Sequence, residues 1–350
     1  MKTVKLGIVG FGFMGHCDAD SLATFSDDEI KLVAVADTNP EQLKDAPEGV
    51  ETYGSIEEML EKADINTVMI STPNPSHLEM VEKSANAGKH IICEKPAAMN
   101  VEQFDKMLEV TKKNNVLFTV HQQRRWDKDY RIMKEVYDRK MVGDMYVIKS
   151  QLYGFNGNMH DWHVFPEMGG GMLYDWGVHL IDQILDMVDS KIDSIFADLR
   201  NVINEKVDDY FNILVKFKNG ITAEIELGTY YLTPKRAWFI GGNKGSALID
   251  GFAGEGKIVR TAHLLENVPG KITMTAAGPT RSFGPAAPGL LIDEPLPEVN
   301  VEQRDYFVHF IKAFNGEEEI IVRPEQVRRV LSVMEAVRKS AASGEAVKFE

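Results

Sequence analysis

The sequence predicts an α/β protein of two domains: a parallel sheet wrapped by helices, then an α+β half built on a large, mostly antiparallel open sheet. Three observations predict it. Short apolar runs alternate with helix-length segments from Val4 to His121, the pattern of repeated βαβ units. After about residue 122 the pattern turns β-rich, with a strong hairpin signal at Asn219-Gly220. The chain of 350 residues is longer than one core ordinarily fills, so domains over 1–122 and 123–350 are expected.

In the first half, Val4–Val9, Lys31–Ala36, Thr67–Ser71, His90–Cys93 and Leu117–Val120 read as buried strands. Met14–Phe25, Ser76–Ala87 and Val101–Asn114 carry apolar residues at three- and four-residue spacing and read as the crossover helices. In the second half the strands are Met145–Gly154, Ile192–Val202, Tyr210–Phe217, Ile221–Tyr230 and Ala237–Ile240, with one long helical segment over Met172–Val188. Val268–Val299, rich in Pro, Gly and Ala, predicts a long irregular surface excursion. Helices over Val301–Asn315 and Pro324–Ser343 close the chain, placed to pack back on the first domain. An exposed open sheet face would need covering, so a homodimer or homotetramer is expected.

Composition narrows the function. Lys and Arg number 39 against 53 Asp and Glu, a net charge of −14 that repels phosphate backbones and anionic membranes. Nucleic acid and membrane are therefore unexpected partners, and any anionic ligand must be held by local backbone N–H groups and a helix N-terminus. Cys17 and Cys93 are the two cysteines; they suggest neither a disulfide framework nor a metal site. No apolar run approaches a membrane span and no signal-peptide pattern opens the chain, so a cytoplasmic location is expected.

Gly10-Phe11-Gly12-Phe13-Met14-Gly15 follows a strand and opens a helix, the setting in which a G-x-G-x-x-G fingerprint has a mechanism. The first glycine makes the turn, the second lets backbone approach a pyrophosphate, and the third packs helix on strand. Asp37 ends the next strand, where a carboxylate accepts both ribose hydroxyls and repels a 2′-phosphate. A Rossmann domain using NAD in preference to NADP is the expectation; the bland alternative is a glycine turn with Asp37 capping the next helix.

Other polar groups fall at strand carboxyl ends, where open α/β sheets bind ligands. Ser71, Thr72, Pro73 and Asn74, with His77 shortly after, either face the cofactor or cap the helix near Ser76. Glu94-Lys95-Pro96 follows His90–Cys93, and the proline restricts Lys95 to an extended or turn geometry that aims its side chain. Over 169–182, Asp175 and His179 are four apart and on a helix would share a face. A histidine there can take a hydroxyl proton, with the carboxylate holding it in register, or the pair is an ordinary polar contact.

Taken in order, these segments resemble the Gfo/Idh/MocA family of glucose-fructose oxidoreductase and inositol dehydrogenase relatives. The likeness is carried by the glycine turn, Thr72-Pro73-Asn74 with His77, Glu94-Lys95-Pro96, Arg124-Arg125-Trp126 and G-G-G-x-L-x-D-x-G-x-H-x-x-D at 169–182, and it spans nearly the whole chain. It implies Lys95, Asp175 and His179 as the catalytic set, His179 being the base, and a pocket between the cofactor and the second sheet for a small polyol or sugar. Gln122 and Arg125 join the expected cofactor contacts. Arg125, Trp126, His160, Trp162, His163 and Tyr174 are candidates to line the substrate pocket, beside Lys95, Asp175 and His179; Trp162 and Trp176 suit a pyranose face or the core equally. His160 and His163 are three apart but have no clear acidic or cysteine partner, so no metal is expected. Three functions stay open: a dehydrogenase of a secondary hydroxyl on a sugar, inositol or glycoside, an NAD-using glycosidase working by transient oxidation and elimination, and a non-catalytic dinucleotide-binding regulator.

Overall fold

The computed structural model describes residues 2–154, 161–261, 272–281 and 288–349. The first sheet comprises β1 (Val4–Val9), β2 (Ile30–Ala36), β3 (Glu51–Tyr53), β4 (Thr67–Ile70), β5 (His90–Cys93) and β6 (Phe118–Val120). Their spatial order is β3-β2-β1-β4-β5-β6 and every pairing is parallel. Helices α1 (Phe13–Leu22), α2 (Ile56–Lys62), α3 (His77–Asn86) and α4 (Val101–Lys113) lie between them. All four residues of β4 are buried, as are Ile91, Ile92 and Cys93 of β5, because helices cover both faces; that is why such strands read as unbroken apolar runs. The strand order reverses between β1 and β4, which opens a crevice at their carboxyl ends.

Beyond β6, α5 (Lys128–Asp138) leads to β7 (Met145–Tyr153), and α6 (Val178–Met187) precedes β8 (Ile192–Arg200), β9 (Tyr210–Phe217), β10 (Thr222–Gly228), β11 (Trp238–Gly242), β12 (Gly245–Ile249) and β13 (Gly256–Thr261). A hairpin of β14 (Ile272–Thr275) and β15 (Gly278–Arg281) follows, then β16 (Leu291–Glu294), α7 (Asp305–Phe314), α8 (Pro324–Ser343) and β17 (Val347–Lys348). Nine strands form one sheet in the order β16-β13-β12-β11-β7-β10-β9-β8-β17. Only the β10–β7 pairing is parallel, so the sheet is mostly antiparallel, as expected. Along β9, Phe211, Ile213, Val215 and Phe217 are buried while Leu214 and Lys216 are exposed, the alternation of a sheet packed on one face. Helices α6 and α8 supply that packing. Asn219-Gly220 makes the predicted turn between β9 and β10, with Gly220 at φ +91°.

The structure departs from the sequence expectation in three places. Val268–Val299 is not wholly irregular: within its described part β14 pairs with β15, and β16 adds an edge to the large sheet through β13. The exposed residues of β14 and β16 bear no alternation, so only their partners define them as strands. The segment Met172–Val188 is not one α-helix but a π-helical turn, Leu173–Gly177, running into α6. Short β3, α2, β12 and β13 carry little pattern of their own, whereas α5, absent from the expectation, buries Tyr130, Ile132, Met133 and Val136 at helical spacing.

The last helices lock the two sheets together. Arg328 of α8 makes two bonds to Asp105 of α4, at 2.7 and 2.9 Å, and Thr119 of β6 donates to Val322 O at 2.9 Å. The strongest tie is Arg125, 3% exposed. Its Nε and Nη2 each reach Asp182 of α6 at 2.7 Å, and Nη1 reaches Asp186 and Gln326. Removing the cation strands Asp182 in the interior, so Arg125→Met should destabilise the fold by about 3–5 kcal/mol in urea unfolding. A loss under about 1 kcal/mol, the value of an exposed pair, would contradict this account.

Candidate active site

The turn from β1 into α1 divides its work among three glycines. Gly10 sits at φ +86°, and a Cβ there would stand 2.7 Å from the backbone of Ser71 and Thr72. A Cβ on Gly15 would stand 2.4 Å from Gly10 O, so this glycine lets α1 close against the strand. Around Gly12 a Cβ would meet nothing within 4 Å; its open side is the cleft. Asp37, at the end of β2, accepts from Phe11 N at 2.8 Å and from Asn39 N at 2.7 Å, which fixes the loop and holds the carboxylate at the cleft wall.

One cleft of about 910 Å³ runs from this turn across the strand ends to the second sheet's domain. Gly10, Gly12, Phe13, Met14, Asp37, Ser71, Thr72, Pro73, Asn74 and Glu94 line it at one side, and Lys95, Trp162, His163, Asp175, Trp176 and His179 at the other. Lys95 Nζ lies 3.0 Å from Asp175 Oδ1 and 3.1 Å from Asp175 O. Asp175 is delivered by the π-helical turn, whose start is fixed when Asp208 accepts from Leu173 N at 2.7 Å. The three glycines before it have no room for side chains: a Cβ on Gly170 would lie 2.3 Å from His163 O, and one on Gly171, at φ +100°, 2.4 Å from Asp208 Oδ1.

His179 is 3% exposed, and its Nδ1 lies 3.1 Å from Gln122 Oε1. An amide oxygen only accepts, so Nδ1 carries the proton and Nε2, with no hydrogen-bond partner among the described residues, is left as the acceptor. Burial, reinforced by the positive charges of Lys95, Arg124 and His121, holds the imidazole well below the usual histidine range. It is neutral at pH 7.

Several expected roles move. His179 is oriented by Gln122 rather than by Asp175, which is taken by Lys95. Gln122 is itself buried and reaches His179 rather than lining the cleft. Arg125 faces neither cofactor nor substrate, because Asp182 and Asp186 hold it in the interior; Arg124 is the arginine at the cleft, its guanidinium 4.1 Å over the Trp176 ring. Adjacent arginines on the 3₁₀ turn Gln123–Trp126 give no periodicity by which to choose between them. Trp126 packs against Tyr306 and His309 in the core. Tyr174 turns away to donate to Met99 O at 2.6 Å. His77 is fully buried, its ring nitrogens 2.7 Å from Thr72 O and 3.1 Å from Pro96 O, so it ties the β4 end to the buried Pro96 instead of facing a cofactor. Trp162 and His163 stack at 3.8 Å on the cleft wall. His160 lies outside the described residues.

A doubly wound sheet with its glycine turn at the switch point, joined to a second sheet whose helix α6 and the turn before it complete the same cleft, defines a two-domain dinucleotide-binding oxidoreductase. Residues 4–122 match the model of the GFO_IDH_MocA oxidoreductase family with its NAD-binding Rossmann fold, and residues 130–248 match a GFO/IDH/MocA C-terminal domain. The chain belongs to the Gfo/Idh/MocA oxidoreductase family. A solved NAD-binding protein of Listeria innocua is 34% identical, with a TM-score of 0.92 over 99% of this chain and 100% of that one. The myo-inositol 2-dehydrogenase of Thermotoga maritima is 27% identical over 64% of this chain and 68% of its own. An NADP(+)-dependent scyllo-inositol 2-dehydrogenase of Bacillus subtilis is 22% identical over 100% and 97%.

The open side of Gly12 gives a direct check. Its φ of −85° and ψ of −154° are accessible to any residue, so Gly12→Val should leave the melting temperature nearly unchanged. Its isopropyl group would intrude on the space beside the helix N-terminus at a cost of about 3 kcal/mol, weakening NADH roughly 100-fold. Unchanged NADH affinity in a fluorescence titration would exclude this loop as the pyrophosphate site.

Proposed function

We propose that the protein is an NAD-dependent dehydrogenase of CH–OH groups, acting between a secondary hydroxyl of a sugar, inositol or glycoside and the nicotinamide. One observation carries the reading: the cleft that holds Gly12 and Asp37 at one end holds Lys95, Asp175 and His179 at the other. The fit to a dinucleotide rests on the vacant side of Gly12 at the start of α1, where backbone N–H groups suit a pyrophosphate, and on Asp37 at the ribose position. When bound, the nicotinamide supplies the two-electron acceptor.

The remaining steps belong to side chains. His179 Nε2, unprotonated because Gln122 holds the proton on Nδ1, takes the hydroxyl proton. The Lys95 ammonium, aimed by Asp175, donates to the substrate oxygen and stabilises the negative charge that develops there. Arg124, its guanidinium stacked on the Trp176 ring, offers hydrogen-bond donors to a polyol's hydroxyls. The inositol dehydrogenases among the relatives support a substrate of that class. On the open face of the large sheet, Phe196 and Leu214 pair across β8 and β9 and are exposed, which supports a homo-oligomer.

Two tests follow from these roles. His179→Ala should lower turnover by about two to four orders of magnitude with NADH affinity nearly unchanged. Because the folded-state pKa lies below the free histidine value, the base is already deprotonated throughout the neutral range. Oxidation in the unaltered enzyme should therefore show no protonation step of His179 near the ordinary value of about 6.5 and should lose its active form only in more acidic solution. A His179→Ala enzyme with near-normal turnover and the same acid limb contradicts the assignment.

Asp37 sets the cofactor. Its carboxylate should exclude a 2′-phosphate, giving a kcat/KM for NAD at least about tenfold above that for NADP, as one uncompensated like-charge contact implies. Asp37→Ser should narrow the ratio, and equal use of both cofactors by the unaltered protein would remove Asp37 from the ribose.

A further inference from the structure

Beneath the cleft, α1 and the ends of β4, β5 and β6 converge on a buried polar cluster that the proposed chemistry leaves unused. His121 Nδ1 lies 2.5 Å from Glu94 Oε1 and 3.5 Å from Asp18 Oδ1, with all three side chains at most 5% exposed. The other oxygen of Asp18 accepts from Ser71 Oγ at 3.0 Å. The Tyr306 ring of α7 closes the far side, its centroid 4.6 Å from that of His121. Donor atoms of Asp18, Glu94 and His121 fall within 4.8 Å of one another, yet a metal does not suit them. Ligand bonds of about 2.0–2.2 Å would push the histidine nitrogen and glutamate oxygen well beyond 2.5 Å, the length of a charge-assisted hydrogen bond.

Glu94 and His121, each just past a strand end, are followed at once by a member of the candidate catalytic machinery. Glu94 precedes Lys95 and accepts from its backbone N–H at 3.1 Å. His121 precedes Gln122, which orients His179. Asp18 belongs to the helix whose first turn faces the proposed pyrophosphate position. We propose that Asp18, Glu94 and His121 form a positioning clamp, the His121 imidazole held between two carboxyl groups, that fixes Lys95 and His179 relative to the cofactor helix.

This rests on reading Lys95 and His179 as the catalytic groups. Against the cost of burial, Glu94 and Asp18 hold the His121 imidazolium above the ordinary histidine value. Burial, with Glu94 adding and His121 and Ser71 opposing, pushes the Asp18 carboxyl up to about 7. Lys95, Cys17, His77, Cys93, His179 and Tyr306 are the other titratable groups that interact with the cluster. One buried proton therefore comes and goes near neutrality, which a packing contact alone would not produce.

The clamp is tested without a substrate, by imidazole-nitrogen NMR of histidine-labelled protein free of cofactor. At pH 7 His121 should carry protons on both ring nitrogens and His179 on Nδ1 alone, and the His179 shifts should show a step near the Asp18 pKa of about 7. Asp18→Asn, which keeps the shape but removes the charge, should displace the His179 resonances and abolish that step. Ser71→Ala, a milder change at the same oxygen, should shift its midpoint if Asp18→Asn folds poorly. NADH binding to the unaltered protein should shift the His121 resonances, and Asp18→Asn should bind NADH within about threefold without that shift. A neutral His121 at pH 7, or His179 resonances indifferent to both substitutions, overturns the clamp. Failure of the unaltered protein to bind NADH would instead overturn the cofactor reading and leave the cofactor-free spectra to decide the clamp.

Discussion

Lys95 and Asp175 come from opposite halves of the molecule, one from the end of β5 and the other from the turn before α6, yet they meet at 3.0 Å with side chains only 14% and 22% exposed. Taking two charges that far out of water is costly unless both are held in register. Most of the local structure serves that requirement. On one side Glu94 anchors the Lys95 backbone; on the other, Asp175 N donates to Gly171 O at 3.0 Å and Asp208 caps the turn. The three glycines at 169–171 exist because His163, Asn74 and Asp208 crowd against them. The π-helical turn widens the helix start, a device often found at functional positions, and both Asp175 and His179 line the cleft that it borders.

The electrostatics of the site follow from this arrangement. Lys95 and Arg124 surround a histidine that is already desolvated, so the neutral imidazole is strongly favoured. Such a base is ready at every pH in the neutral range, but the same cations resist the imidazolium that accepting a proton creates. A site of this kind suits a proton that leaves an oxygen whose negative charge is stabilised alongside, the role proposed for Lys95.

What could be read from the sequence was whatever local backbone chemistry dictates. The glycine turn, Asp37 at the end of β2 and the buried strands on either side are set by neighbours in sequence, and so were legible. Gln122 as the partner of His179, Asp208 as the cap of the π-helical turn and Asp18 beneath Glu94 depend on contacts between elements far apart in the chain, which no periodicity announces. The choice between Arg124 and Arg125 turned on whether Asp182 and Asp186 of α6 would capture one of them. The four-residue spacing of Asp175 and His179 suggested a mutual contact because it assumed a regular helix and ignored Lys95 as a competitor for the carboxylate. Strand β16 was hidden for a similar reason: its exposed residues are ordered by pairing with β13 rather than by burial.

The account stands on a single cleft serving both as dinucleotide site and as proton-transfer site. A crystal structure of the protein with NADH bound tests this most directly. The pyrophosphate should lie against Gly12 and the first turn of α1, with the ribose hydroxyls on Asp37 and the nicotinamide ring in contact with the Lys95 and His179 side chains. A dinucleotide seated elsewhere, or one whose nicotinamide points away from both side chains, would contradict it.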